Sequence, residues 1–403
     1  MRIMIAGGGT GGHVYPGIAM YDALRRRVRN VEVLFVGARA GVESRIFDDL
    51  GLPSVLLPGR GVRGKGLLAK LISPLTLVAG LYHGVREVLS FKPDVVIGTG
   101  GYASVAVVAA SIICNRKRVV QEQNSVPGMA NRVLSRFANL VLLSYEESRK
   151  YIRRGVPTAV VGNPIRVKQK PNRSEAMTFF DLDPGVPVVL ICGGSRGARS
   201  INEASVDAIK RLLERRHIQF IVLSGDLDYN TVRAGLDGYE ERVRVYPFLQ
   251  EMHHAYSAAD LAVSRSGASA VFELAAFGVP TVFVPYPYAA DNHQKKNVAE
   301  LGASGAAVVI EDRSCTGEQL ETIIETLLDD EEQRGNMRRK TSAWAKADAD
   351  SLAAEKILDL APYYRTCVMA GVSFGSGGIE EAAGSAGGRA HCTTGPAGGP
   401  GRN

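Results

Sequence analysis

Short runs of β-branched residues alternate along this chain with longer stretches whose apolar positions recur at helical spacing. Residues 2–6, 31–36, 95–97 and 119–121 read as strands buried on both faces of a parallel sheet. Residues 15–29 and 128–137 read as helices beside them. The pattern then restarts with a strand over 186–192 and a helix over 199–216. Strands at 220–223, 243–246, 261–264 and 281–284 follow, each with a helical partner. Two successive β/α series predict an α/β protein built from two Rossmann-like, doubly wound domains facing a central cleft.

Length agrees, because 403 residues exceed what one hydrophobic core usually supports. Pro164 in Gly162-Asn163-Pro164 biases Asn163 toward an extended shape, which suits a hinge. The domains are therefore expected at 1–163 and 164–341. A terminal helical segment is expected over 342–365, its helix ending at Pro362 and returning toward the first domain. Residues 366–403 are mainly Gly, Ala, Ser and Thr and read as a disordered tail.

Charge adds an asymmetry. The chain carries a net +7. Residues 1–166 hold 23 basic against 10 acidic side chains, and the remainder 25 against 31. A basic first half points to an anionic partner: a nucleic acid, a membrane surface or a phosphorylated substrate. Nucleic acid is disfavoured, since no stacking platform or recognised motif accompanies the charge. The five cysteines show no paired spacing, which argues against a zinc site and a disulfide framework. The first residues run straight into a strand with no apolar signal core, so a cytoplasmic protein is expected.

Two glycine loops carry the first chemistry. The opening strand runs into Gly7-Gly8-Gly9-Thr10-Gly11-Gly12-His13, where glycines let the backbone approach a ligand and a helix N-terminus offers N–H groups to an anion. A dinucleotide site would want an acidic residue ending the second strand, and Val36-Gly37-Ala38-Arg39 has none. His13 enters the same crevice and has an imidazole suited to taking a proton from a hydroxyl. The second loop, Gly193-Gly194-Ser195-Arg196-Gly197, offers backbone N–H groups, a hydroxyl and guanidinium charge to a diphosphate. Glu273, early in the helix after Gly267, can accept both hydroxyls of a ribose. Asp291-Asn292-His293-Gln294 suits a sugar's hydroxyls.

A membrane-facing segment is also legible. Residues 60–66 are basic, and an uncharged run over 71–85 is interrupted by Pro74 and Gly80. That run falls short of the roughly 20 apolar residues that span a bilayer. It suits peripheral docking on anionic lipid.

In one order the chain carries GGGTGGHVYPGIA, GGY at 100–102, QEQNSVPGMANR, VGNPIR, CGGSRGARSIN, SRSGASAVFELAAFGVP and DNHQKKNVAE. This series resembles the family of UDP-N-acetylglucosamine–undecaprenyl-pyrophosphoryl-MurNAc-pentapeptide GlcNAc transferases, over about residues 2–360. The resemblance implies a GT-B fold and an inverting transfer of GlcNAc from UDP-GlcNAc to lipid I, undecaprenyl-pyrophosphoryl-MurNAc-pentapeptide, to give lipid II for peptidoglycan. It implies that Ser195 and Arg166 face the diphosphate, that Leu249 lies beside the uracil, and that Ala268, Ser269, Ala270, Val271, Phe272 and Glu273 line the ribose and phosphates. Gln294 and His293 match the GlcNAc contacts, and Thr10, Gly11, Gly12 and Asn124 the donor or cleft contacts. His13, Tyr102 and Glu122 match residues serving the acceptor. The base is His13 or Glu122. No metal or other cofactor is required, with a divalent cation only as a stimulant. The expected place of work is the inner face of the plasma membrane. The alternative is a GT-B transferase acting on another lipid or small acceptor. Gln121 departs from the family, which often has histidine there, as does the valine-rich stretch after Tyr102.

Overall fold

Among the described residues every strand pairing is parallel, and the strands fall into two sheets. A computed structural model describes residues 1–39, 41–59, 67–165, 170–194 and 197–361, with side chains given from residue 76 onward in the helix that begins at Leu67. The first sheet holds β1 (Arg2–Gly7), β2 (Glu32–Ala38), β3 (Ser54–Leu57), β4 (Val95–Gly100), β5 (Lys117–Glu122), β6 (Leu140–Leu143) and β7 (Thr158–Val160), ordered β3-β2-β1-β4-β5-β6-β7. Its crossovers are α1 (Gly11–Arg27), α2 (Glu43–Asp49), α3 (Leu67–Phe91), α4 (Gly101–Ile113) and α5 (Met129–Leu134).

The second sheet holds β8 (Val188–Cys192), β9 (Gln219–Leu223), β10 (Val243–Tyr246), β11 (Leu261–Ser264), β12 (Thr281–Phe283) and β13 (Val308–Val309), ordered β10-β9-β8-β11-β12-β13. Around it lie α6 (Arg173–Phe179), α7 (Arg199–Arg215), α8 (Tyr229–Gly235), α9 (Met252–Ala258), α10 (Ala268–Phe277), α11 (His293–Asn297), α12 (Ala299–Ala303), α13 (Gly317–Asp329), α14 (Glu331–Trp344) and α15 (Ala349–Asp359).

The apolar strand runs are what the sheets bury. Ile3, Ile5, Val95, Ile97 and Val119 form one face of the first sheet's core with Ile18 and Leu24 of α1. Met4, Val96 and Val120 line the other face with Val107 and Ala110 of α4. Burial on both faces explains why these strands show no polar alternation. In each sheet the strand order reverses at the first strand, so the loops after β1 and β4, and after β8 and β11, open at topological switch points, where such folds bind ligands.

Several expectations need correction. The first helix begins at Gly11 rather than residue 15, and Pro16 lies inside it. Residues 67–91 form one continuous helix through Pro74 and Gly80. Gly80 is small because Tyr102 packs there: a Cβ would sit 2.3 Å from the Tyr102 hydroxyl. The expected terminal helix is two helices: α14 runs to Trp344, and α15 starts afresh at Ala349. α15 packs Ala353, Ala354, Ile357 and Leu358 into the first domain's core, and its Asp350 pairs with Arg26 at 2.5 Å. Strands β3, β6, β7 and β13, two to four residues each, add to the strands that the sequence predicts. The tail expected over 366–403 lies outside the described residues, as does Pro362.

Candidate functional site

The N-terminal ends of α1 and α10 meet across the two domains. A Cβ on Gly12 would lie 3.6 Å from the Ser269 hydroxyl oxygen. That oxygen is buried and has no hydrogen-bond partner of its own. Thr10 caps α1 without using its side chain, and Gly267 caps α10 with no side chain to offer. Two helix ends with open N–H groups, facing one place, create fixed positive potential there, as an anionic group requires.

His13 sits at the mouth of the first glycine loop. Its Nδ1 lies 2.9 Å from the Gly8 carbonyl oxygen. A carbonyl only accepts, so Nδ1 carries a proton, and in the neutral ring Nε2 keeps a lone pair. The ring lies over Gly100, whose missing Cβ would otherwise come within 3.1 Å of Nε2. Gly100 has φ of +117°, a conformation that glycine takes without strain.

Glu122 ends β5 with its carboxylate buried and fully engaged. One oxygen accepts from Asn124 N (2.8 Å) and Asn124 Nδ2 (3.3 Å). The other accepts from Gly128 N (3.1 Å) and Asn131 Nδ2 (2.8 Å). Burial raises its pKa, while those hydrogen bonds and nearby His13 pull it back. With both oxygens occupied, Glu122 shapes the 123–128 loop and has no lone pair directed at a substrate. Gln121 is fully buried beneath it, donating to Asn163 Oδ1 (3.3 Å) and Ser144 Oγ (3.4 Å).

In the second domain, Glu273 accepts a 2.6 Å hydrogen bond from the Tyr256 hydroxyl. Burial pushes its carboxyl up to about 7, against the opposing pull of that hydrogen bond. Gln294 is held by two loops: its Oε1 accepts from Tyr286 N (2.9 Å), and its carbonyl accepts from Ser266 Oγ (2.9 Å). His293 donates to the Ala290 carbonyl at 2.8 Å. Leu249, half-buried after β10, packs on the core cluster around Val271 and Phe283.

Some expected site residues are placed elsewhere. Val271 belongs to the second domain's core, and Ala268 and Phe272 pack against Tyr145, so these side chains build the frame rather than the ligand surface. Ala270 is half-buried one turn into α10. The Tyr102 hydroxyl is spent on the Pro58 carbonyl at 2.9 Å and the Thr76 carbonyl, and burial raises its pKa. Arg166 and Ser195 lie outside the described residues, as does the basic stretch 60–66. Among the described residues no group of three or more His, Cys, Asp or Glu converges as a metal site.

Residues 3–143 match the glycosyltransferase family 28 N-terminal domain, and residues 188–355 match the family 28 C-terminal domain. The chain belongs to glycosyltransferase family 28. It is 39% identical over 363 residues to the UDP-N-acetylglucosamine–N-acetylmuramyl-(pentapeptide) pyrophosphoryl-undecaprenol N-acetylglucosamine transferase of Thermodesulfovibrio yellowstonii, covering 90% of this chain and 98% of that one. It is 39% identical over 365 residues to the protein of the same name from Chlorobaculum tepidum, covering 89% and 99%. Its fold matches the crystal structure of Acinetobacter baumannii MurG with a TM-score of 0.69 and 28% identity, over 89% of this chain and 99% of that one. The fold is GT-B. A UDP-GlcNAc 2-epimerase from Neisseria meningitidis shares the fold alone, at a TM-score of 0.65 and 12% identity over 89% and 100%.

Three residues of this family 28 chain have site roles that sequence reading missed. Glu43, fully buried, accepts from Gly9 N and Ala38 N at 2.9 Å each. Asn297, the last residue of α11, reaches into the first domain's 123–128 loop. Tyr145 stacks edge-on to Phe272 (5.2 Å between centroids) and against Trp344 (5.9 Å), joining the two domains. Glu43 sits in the polar run Glu43-Ser44-Arg45, which reads as a surface helix start. Asn297 lies inside DNHQKKNVAE, where its amide is the local signal of a polar contact.

Proposed function

We propose that this family 28 glycosyltransferase moves GlcNAc from UDP-GlcNAc to the MurNAc 4-hydroxyl of undecaprenyl-pyrophosphoryl-MurNAc-pentapeptide, inverting the anomeric centre and releasing UDP. The observation that carries the reading is the meeting of the α1 and α10 N-termini beside His13. The names of the relatives supply donor and acceptor. The acceptor hydroxyl gives its proton to His13 Nε2, and its oxygen bonds to the sugar's C1. The bond from C1 to the diphosphate breaks, with its electron pair leaving on UDP. N–H groups at the two helix ends, with Ser269, receive the charge as it develops. Ser195 and Arg166 belong to the same diphosphate cradle in this proposal. Glu273 takes the ribose hydroxyls, and Gln294 and His293 the GlcNAc. No cofactor is required in this reading, and a divalent cation would act only as a stimulant.

The acceptor's lipid requires a surface to work on. No helix among the described residues is long and apolar enough to cross a membrane. α3 instead turns Val78 (65% exposed), Tyr82 (69%) and Leu89 (55%) outward with Arg86, along one stripe. An apolar stripe with a basic member suits peripheral docking on the anionic inner face of a plasma membrane. The test of function is transfer of labelled GlcNAc from UDP-GlcNAc to a short-chain analogue of the lipid acceptor, with UDP release followed alongside. Equal yields of glycosylated acceptor and UDP are expected. UDP binding with no transfer would send the search to another acceptor.

A further inference from the structure

The peptide group joining Gly8 and Gly9 is engaged at both ends. Its N–H, on Gly9, donates to Glu43 Oε2 at 2.9 Å. Its carbonyl, on Gly8, accepts from His13 Nδ1 at 2.9 Å. A buried carboxylate, one peptide plane and an imidazole therefore stand in line. We infer that Glu43 is a positioning residue for the transfer reaction: it acts through the Gly8–Gly9 peptide to hold His13 in its Nδ1–H tautomer with Nε2 presented to the acceptor. This rests on the reading of His13 as the base.

The physical argument is polarisation. A carboxylate accepting from one end of a peptide dipole makes the carbonyl at the other end a stronger acceptor. A stronger acceptor on Nδ1–H fixes the ring's tautomer and orientation and supports the imidazolium formed when Nε2 takes a proton. The surroundings are built for that carboxylate. A Cβ on Gly8, Gly37 or Gly41 would collide with Glu43, at 2.1, 2.5 and 2.0 Å. The second oxygen is held by Ala38 N, so the carboxylate cannot swing away from the loop. Gly8 N, bonded to the Gly100 carbonyl at 3.2 Å, fixes the same loop from β4. Glu122, from β5, is the carboxylate that interacts electrostatically with His13. α1 has no acidic residue in its first turn, and the Gly100–Gly101 corner offers none.

The experiment is a double-mutant cycle on the transfer assay, with Glu43→Gln, His13→Ala and the pair. Glu43→Gln keeps the shape but removes the charge and sets an amide donor against an N–H. It is expected to lower kcat about 10- to 100-fold, as loss of an outer-shell orienting partner does, with the UDP-GlcNAc KM little changed. The acid limb of kcat/KM moves to lower pH. In the His13→Ala background the same change costs no more than about twofold, because nothing remains for it to orient. Equal cost in both backgrounds overturns the inference and makes Glu43 a brace of the loop alone. Near-normal activity of His13→Ala overturns the base reading itself, and the inference with it. Should Glu43→Gln not fold, the imidazole nitrogen shifts of the unaltered protein decide: an Nδ1–H tautomer of His13 supports the inference, and an Nε2–H tautomer overturns it.

Discussion

Asn297 Oδ1 accepts from both the backbone N–H and the hydroxyl of Ser125, at 2.9 and 3.0 Å. Its Nδ2 donates to Asn124 Oδ1 (3.2 Å) and to the Ser266 carbonyl (3.1 Å). One buried amide from α11 of the second domain thus pins the loop that Glu122 shapes. The segment proposed to bind the sugar and the 123–128 loop are held in one register.

Asn297→Ala leaves the Ser125 N–H and Asn124 without their partner and should cost about 1–3 kcal/mol of stability. Asn297→Asp keeps an acceptor for Ser125 but turns a charged oxygen toward two acceptors, so it should cost at least as much. Thermal unfolding followed by fluorescence checks both. Trp344, the chain's one tryptophan, lies in the cross-domain cluster and reports the junction.

Removing the base should cost kcat about 100- to 10,000-fold in His13→Ala. Glu122→Gln should act on stability instead, since one amide oxygen cannot accept all four N–H groups; the loss is about 1–3 kcal/mol. Melting temperature and kcat measured on both variants separate these roles. A small loss in His13→Ala with an inactive, folded Glu122→Gln would exchange them.

Glu273 gives a pH signature. Its folded-state pKa, about 7, is raised above the ordinary carboxyl value of 4.5. The folded chain therefore binds more protons than the unfolded chain between those values. The associated stability is full below about 4.5 and is lost as pH rises through about 7. Glu273→Gln removes this dependence, so its melting temperature relative to the unaltered protein should be more favourable at pH 8 than at pH 5. Ribose hydroxyls donate to the carboxylate form, so UDP affinity of the unaltered protein should strengthen over the same interval. Calorimetry at several pH values checks both.

Docking should depend on the outer stripe of α3. Val78→Glu with Tyr82→Glu should abolish sedimentation with anionic vesicles and leave transfer to a short-chain acceptor unchanged. Retained vesicle binding would remove α3 from the membrane surface.

Much of this architecture is readable from residues alone. The β-branched runs around Ile3, Val95, Val189 and Val263 are buried on both faces, so composition marks them without periodicity. Glycine loops follow β1 and β8 because only glycine tolerates those approaches; a Cβ on Gly197 would lie 2.1 Å from the Ser224 carbonyl. What escapes is whatever depends on distant parts of the chain meeting. Glu43 is 34 residues from Gly9 in sequence, and nothing local separates it from a solvated helix-start glutamate. Phe272 and Val271 lie inside a ligand-binding motif yet face inward, since a helix that presents its N-terminus to a ligand must bury its opposite side. The break at 345–348 follows from α15 changing domains, a demand no local pattern encodes.

The most direct test of the central claim is the stoichiometry of the transfer assay. Labelled UDP-GlcNAc, the short-chain acceptor and this chain should give one glycosylated acceptor per UDP released, with a β-linkage at the MurNAc 4-oxygen from the α-linked donor. UDP released without glycosylated acceptor, or a product that keeps the α configuration, would contradict it.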